Sequence, residues 1–294
     1  MKSVTPLLLL LLLPSALFGA DVRGELLARI NAARQRAGAP PIRLSPELTR
    51  AAQEHAAEVA ARDSLKLRAG STDEMRERLK RDGYLAHAWT ESLASNSGSL
   101  EDVLGDFRQN DPETYRKLLA PEFRDLGIGL ARMKGAPLYT FLFAEPEGEW
   151  FAAQTAALHD LRRAQAAMLA RVNAERKAAG ALPLTANARL DLAAQRHADD
   201  MLARHYFAHE SPEGKTVRER ASAAGYDWRA IGENIAEGQL SVDEVMETWM
   251  HSPGHRRNIL DRDFRELGVG LALGRSGDGW QVVWVQTFGW KAKP

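Results

Sequence analysis

Leu267-Gly268-Val269-Gly270-Leu271 and, 141 positions earlier, Leu126-Gly127-Ile128-Gly129-Leu130 decide how this chain is organised. Each is a short apolar run of strand character, and each has a second run after it. The predicted strand pairs are 126–131 with 138–143, and 267–273 with 280–288, the last two joined by a turn at 274–279. Upstream the doubling continues. Leu27-Ala28-Arg29-Ile30-Asn31-Ala32 matches Leu169-Ala170-Arg171-Val172-Asn173-Ala174, and Ala51-Ala52-Gln53-Glu54-His55-Ala56 matches Ala193-Ala194-Gln195-Arg196-His197-Ala198, both 142 apart. Gly83-Tyr84 matches Gly225-Tyr226 and Glu91 matches Glu233 at the same spacing. Matches this far apart, kept in order, mark a tandem domain duplication rather than a short-period solenoid.

Each copy begins with helices. The periodicity predicts them at 24–37 and 160–179, at 46–62 and 187–204, and at 99–109 and 241–251. Ser45 is a cap ahead of Pro46, and Gly180 is a stop. Ser241-Val242-Asp243-Glu244 has the capping-box pattern, with Ser99-Leu100-Glu101-Asp102 as its counterpart. Helices around a mainly antiparallel sheet make an α+β fold. The expected domains are 21–147 and 161–294. The linker at 148–160 contains Trp150, Phe151 and Leu158, is not Gly/Ser-rich, and reads as helical.

Composition bounds the function. With 294 residues, 45% hydrophobic and 27% charged, the chain is globular, and a formal net charge of +0 gives no reason to expect a nucleic-acid partner. Lys2, the leucine run 7–13 and small residues up to Ala20 read as an export signal over 1–20. The run is too short to span a bilayer, so no transmembrane segment is expected in the mature protein. The expected location is periplasmic, cell-surface or secreted. With no cysteine, disulfides, thiolate zinc sites, a cysteine nucleophile and a lipidated cysteine are all excluded.

The chemistry gathers late in the chain. Five of the eight histidines, His197, His205, His209, His251 and His255, lie within or just before the stretch 208–260. His197 matches His55 on an apolar-periodic helix and reads as a packed structural residue. His205 and His251 read as surface or helix-end residues, because Pro253-Gly254 breaks any helix carrying His251 and His255 together. His209-Glu210-Ser211-Pro212-Glu213 is not H-E-x-x-H, and there is no G-x-S-x-G or phosphate-binding loop. Ser211 and Ser252, each before a proline, read as turn or cap residues. Trp249, Trp280 and Trp284 read as core or cavity wall.

The second copy resembles the CAP superfamily (cysteine-rich secretory proteins, antigen 5 and plant pathogenesis-related proteins) in its bacterial SCP-domain form. The resemblance rests on Asn173, His197 to Met201, Phe207 to Gly214, Gly232 to Gly238, Trp249 to Leu260 and the final strand pair. It implies a three-layer α-β-α sandwich. It also implies a cavity in which His209, Glu233 and His255 hold a divalent metal such as Zn2+. The second glutamate of many eukaryotic members is absent, its place being taken by Ser252; Glu210, Glu213 and Glu247 are substitutes between which the motif does not choose. Two imidazoles and a carboxylate suit an open site with a bound water. Without metal, His209 or His255 is a candidate general base with Glu233 fixing its tautomer. A plainer reading has Glu233 bonding backbone amides of its loop, and its survival as Glu91 favours this. The first copy has Leu67 for His209, Phe107 for Trp249 and Glu113 or Thr114 for His255, so it is expected to lack the metal site.

Three functions follow as expectations. The first is extracytoplasmic binding of a small-molecule, lipid, protein or polymer ligand through the second cleft. The second is metal-dependent hydrolysis of cell-envelope or extracellular polymers. The third is a purely structural interaction module.

Overall fold

The structure, a computed structural model, describes residues 21–62, 72–95, 100–277 and 279–292. The expected export signal at 1–20 and the expected counterpart Leu67 lie outside the described residues. The chain divides into two units, Met1–Pro146 and Glu147–Pro294.

The first unit runs α1 (Val22–Arg36), β1 (Arg43–Leu44), α2 (Pro46–Arg62), α3 (Thr72–Arg81), β2 (Ala86–Ser95), α4 (Leu100–Asn110), α5 (Pro112–Leu119), β3 (Asp125–Met133) and β4 (Ala136–Pro146). Its sheet order is β1-β3-β4-β2. The second unit opens with α6 (Glu147–Gln154) and a 3-10 turn (Ala156–Leu158). It continues through α7 (Leu161–Ala178), β5 (Thr185–Ala186), α8 (Ala188–Arg204), α9 (Val217–Ala223), β6 (Trp228–Glu237), α10 (Val242–His251), α11 (Pro253–Leu260), β7 (Glu266–Ser276) and β8 (Gly279–Lys291). Its sheet order, β5-β7-β8-β6, repeats that of the first unit. In each sheet the two-residue first strand is parallel to its neighbour and the remaining pairs are antiparallel.

Period-two alternation makes each unit three layers. In β8, Val282, Trp284 and Phe288 face the core shared with α7, α10 and α11, while Val283 and Val285 face α8. In the first unit, Phe141 and Phe143 face α1, α4 and α5, while Leu142 and Ala144 face α2. On the side of the long helix, strand and helix backbones nearly touch. A Cβ on Gly268 or Gly270 would lie 2.0 Å from Leu190 C or 2.3 Å from Ala194 C. A Cβ on Gly127 or Gly129 would meet Leu48 and Ala52 in the same way. The alternate glycines of the opening motif therefore seat α8 on β7 and α2 on β3, which is why they recur.

A buried arginine closes each unit. Arg34 donates to the carbonyls of Pro40, Leu118, Ala120 and Phe123, and Arg176, 142 positions on, donates to those of Leu182, Ile259, Asp261 and Phe264. Both are 0% exposed. A guanidinium with five donors ties α1 to the end of α5 and the turn into β3, and α7 to the end of α11 and the turn into β7.

Three expectations are corrected here. The segment 232–238, read as a loop, lies largely in β6, which pairs with β8 from Trp228 to Glu237. Gly232 and Gly238 resemble turn residues locally, but the partner strand supplies the ladder. The turn expected at 274–279 is shorter, because β7 continues to Ser276 and β8 resumes at Gly279. Trp280 is 37% exposed, with its ring 5.3 Å from that of Phe151, whereas Trp249 and Trp284 are fully buried. The segment 148–160, read as a helical linker, runs through α6 and the 3-10 turn, and its Phe151 and Leu158 enter the core of the second unit.

Candidate functional site

Strand β6 places Glu233 opposite Thr287 of β8, on the face covered by α8. The carboxylate is buried and both its oxygens are engaged. His209 Nδ1 lies 2.9 Å from Oε1, and the Arg220 guanidinium donates to Oε2 at 2.6 Å. Arg220 also donates to the Lys215 carbonyl at 2.7 Å, which fixes the start of α9 under the loop. A carboxylate paired with a guanidinium makes charge-assisted hydrogen bonds. Glu233 therefore holds the proton on His209 Nδ1 and leaves the Nε2 lone pair outward. The His209 side chain is 57% exposed, so that lone pair is accessible. The plainer reading of Glu233, as a bond to backbone amides, is replaced by these two side-chain partners.

The loop carrying His209 is built locally. Helix α8 ends at His205, in the left-handed region with φ of 56°. His197, buried on α8, donates from Nε2 to the Ala208 carbonyl at 3.0 Å, one residue before His209. Ser211 closes a tight turn, its backbone pairing with Lys215 and its carbonyl accepting from Gly214. Burial lowers the His197 pKa, partly opposed by Glu233, so the ring is neutral with its proton on Nε2.

His255 comes from α11, which a buried amide network locks against β6. Asn234 donates to the His255 carbonyl and to Gln286, and Asn258 donates to the Glu233 carbonyl and to Asn234 Oδ1. Burial lowers the His255 pKa, and the nearby His209 lowers it further. His255 is thus disposed to be neutral and to offer a lone pair.

The other candidates lie elsewhere. His205 is exposed and accepts from Ser276 and Gly277, and His251 is exposed at the end of α10 against the Glu247 carbonyl. Glu213 pairs with Arg204, which holds its carboxyl down to about 2. Ser252 precedes α11 as its cap residue. Sequence reasoning missed Arg220, Asn258 and Gln286. Arg220 has a counterpart in Arg78, but nothing local marked it as the partner of Glu233.

The chemistry of the donor set limits what ion it fits. Among the described residues no three histidine, aspartate or glutamate side chains form a metal-holding group. Glu233 is committed to His209 and Arg220, which leaves two imidazoles as free donors.

In the first unit Glu91 instead meets His55 Nδ1 directly at 2.5 Å, and Arg78 turns to Glu58. The prolines that open α5 and α11, Pro112 and Pro253, are 141 apart, which makes Thr114 the counterpart of His255. Thr114 is buried and bonds Ser92, the counterpart of Asn234. Opposite Ser92 stands Phe141, where the second unit has Gln286 opposite Asn234. Phe107, which replaces Trp249, packs edge-on against Phe141.

Comparison with known proteins agrees with this doubling. The CAP family, described as the cysteine-rich secretory protein family, matches residues 27–143 and 169–288. The uncharacterized protein YkwD of Bacillus subtilis (strain 168) is 38% identical over 116 residues, 40% of this chain and 43% of that protein. The uncharacterized membrane protein YlbC of the same organism is 35% identical over 75 residues, 26% of this chain and 22% of that protein. The chain thus spans less than half the length of these curated relatives. Among solved structures, an extracellular SCP-domain protein of Bacillus anthracis str. Ames is similar with a TM-score of 0.39 and 20% identity, covering 56% of this chain and 60% of that one.

Proposed function

The chain belongs to the cysteine-rich secretory protein family, and from that premise we propose an exported binding protein whose second unit takes an extracytoplasmic ligand at His209 and His255. A divalent ion such as Zn2+ joins the two imidazoles and leaves positions open for the ligand. The observation carrying this reading is the Glu233 carboxylate, held by Arg220 and turned to His209 Nδ1, which leaves Nε2 free. A carboxylate behind a ligating imidazole raises its basicity and fixes its orientation. When bound, the ion supplies a charge that recognises an anionic or carbonyl oxygen. The ligand is a small molecule, lipid, protein or polymer of the extracytoplasmic space. Among the described residues no helix is long and apolar enough to cross a membrane.

The test is a calorimetric Zn2+ titration of the full chain. Wild type takes up the ion at micromolar concentration, and His209→Ala/His255→Ala does not, while its thermal unfolding is unchanged. Absence of uptake by wild type sinks the metal reading.

One observation favours a second reading. An exposed imidazole with Nδ1 on a carboxylate is also a candidate general base. It suits hydrolysis of cell-envelope or extracellular polymers. Turnover of such a polymer, abolished in His209→Ala without loss of folding, decides for that reading.

A further inference from the structure

Around the end of α11 the second unit has a groove of about 600 Å³ whose wall carries Arg256, Arg257 and Arg262 beside the apolar Met250 and Leu260. All three arginines are exposed, and none has an ion-pair or side-chain hydrogen-bond partner among the described residues. The acid in the wall, Asp261, accepts from the Asp263 amide. The formal net charge of the chain is +0, so this positive field is local and gives the molecule a sidedness. Neither the binding reading nor the hydrolytic one uses this face.

An exposed leucine stands beside the arginines. Leu182 is 65% exposed, more than any other large hydrophobic side chain described. Its backbone is fixed. The buried Arg176 guanidinium holds its carbonyl at 2.7 Å, and Asn173 pins both backbone groups of Leu184 two residues on. The same guanidinium holds the Asp261 carbonyl, and the Arg262 guanidinium lies 3.9 Å from where a Cβ on Gly180 would stand. The tip at 180–183 and the turn at 260–262 are therefore side by side. The fold does not demand their composition. In the first unit the matching carbonyls belong to Pro40 and Ala120, and at the spacing of 141 Tyr115 and Pro121 replace Arg256 and Arg262, with only Arg116 kept.

A fixed apolar tip beside unpaired cations suits a bilayer interface. There an aliphatic side chain enters the acyl boundary while the cations meet phosphates. A nucleic acid or another water-soluble polyanion uses the arginines but offers nothing to Leu182, Met250 and Leu260. We propose that this face docks the second unit on an anionic membrane leaflet, with Leu182 entering the interface and Arg256, Arg257 and Arg262 on phospholipid phosphates. Arg256 follows His255 directly on α11, so docking sets where the histidine cleft stands relative to the lipid without using the histidines.

The test exploits the absence of cysteine. Leu182→Cys in the full chain carries an environment-sensitive fluorophore at the tip. Leu192→Cys, 41% exposed on α8 across the sheet, carries it as the control. Vesicles of equal parts phosphatidylglycerol and phosphatidylcholine brighten the label at 182. Vesicles of phosphatidylcholine alone do not, and the label at 192 responds to neither. Adding Arg256→Gln/Arg257→Gln/Arg262→Gln raises the lipid concentration at half-maximal brightening by about tenfold or more, with thermal unfolding unchanged. The leucine run at 7–13 is common to every variant, so comparing them removes its contribution. No metal enters the readout, so this proposal and the Zn2+ reading fail separately. The proposal is overturned by no brightening with the anionic vesicles, by equal brightening with phosphatidylcholine alone, or by an equal response at 192. An unchanged midpoint in the triple arginine variant, or dextran sulfate brightening the label as well as vesicles do, overturns it too.

Discussion

At the residue scale, one carboxylate does different work in the two units. Glu233 and Glu91 occupy matching strand positions, yet Glu233 holds the exposed His209 while Glu91 holds the buried His55. What differs is the third partner. With Arg220 on Oε2 and His197 drawn to Ala208, Oε1 of Glu233 is left for His209. His197 then has a consequence for stability. Its folded pKa is lowered by burial from an unfolded value of about 6.5. Between the two values the unfolded chain binds more protons, so stability is full above about pH 6.5 and falls as pH drops toward the folded pKa. Replacing His197 with Gln makes the slope of thermal stability against pH shallower over that window. An unchanged slope removes His197 as its source.

At the element scale, the alternate glycines of β7 and β3 let a helix lie on a strand at backbone contact. Gly270→Ala forces a methyl to 2.3 Å from Ala194 C, where main chain on both sides leaves nothing flexible to yield. We expect a loss of about 3 kcal/mol in urea unfolding, at the upper end of overpacking costs. Gly254→Ala, on α11 with nothing within 4 Å of the added methyl, stays within about 1 kcal/mol of wild type. If both variants unfold alike, glycine contact is not what seats α8. The buried arginines act at the same scale: Arg176 gathers carbonyls from the ends of three segments, so α7, α11 and the approach to β7 are fastened by one side chain.

At the scale of the whole molecule, two units share one topology and only the second keeps the histidine pair. Thr114 and Phe141 fill the first unit where His255 and Gln286 stand in the second, so packing there has replaced polar chemistry. Metal analysis of the zinc-loaded full chain is therefore expected to return one ion per chain, and two would contradict the division of roles. The sequence by itself determined the duplication, the α+β class, the strand pair closing each unit and the candidacy of His209, Glu233 and His255. Those signals are local periodicity, turn residues and matched spacing, which survive without knowing what packs on what. Only the tertiary structure decided that 232–238 lies mostly in a strand, since its ladder partner is some fifty residues away. It alone paired Glu233 with Arg220 and chose Thr114 over Glu113. An arginine on a short helix carries no local mark of the carboxylate that the fold brings to it. Ion pairs between distant segments depend on where the backbone puts the charges, and that is settled only when the layers close.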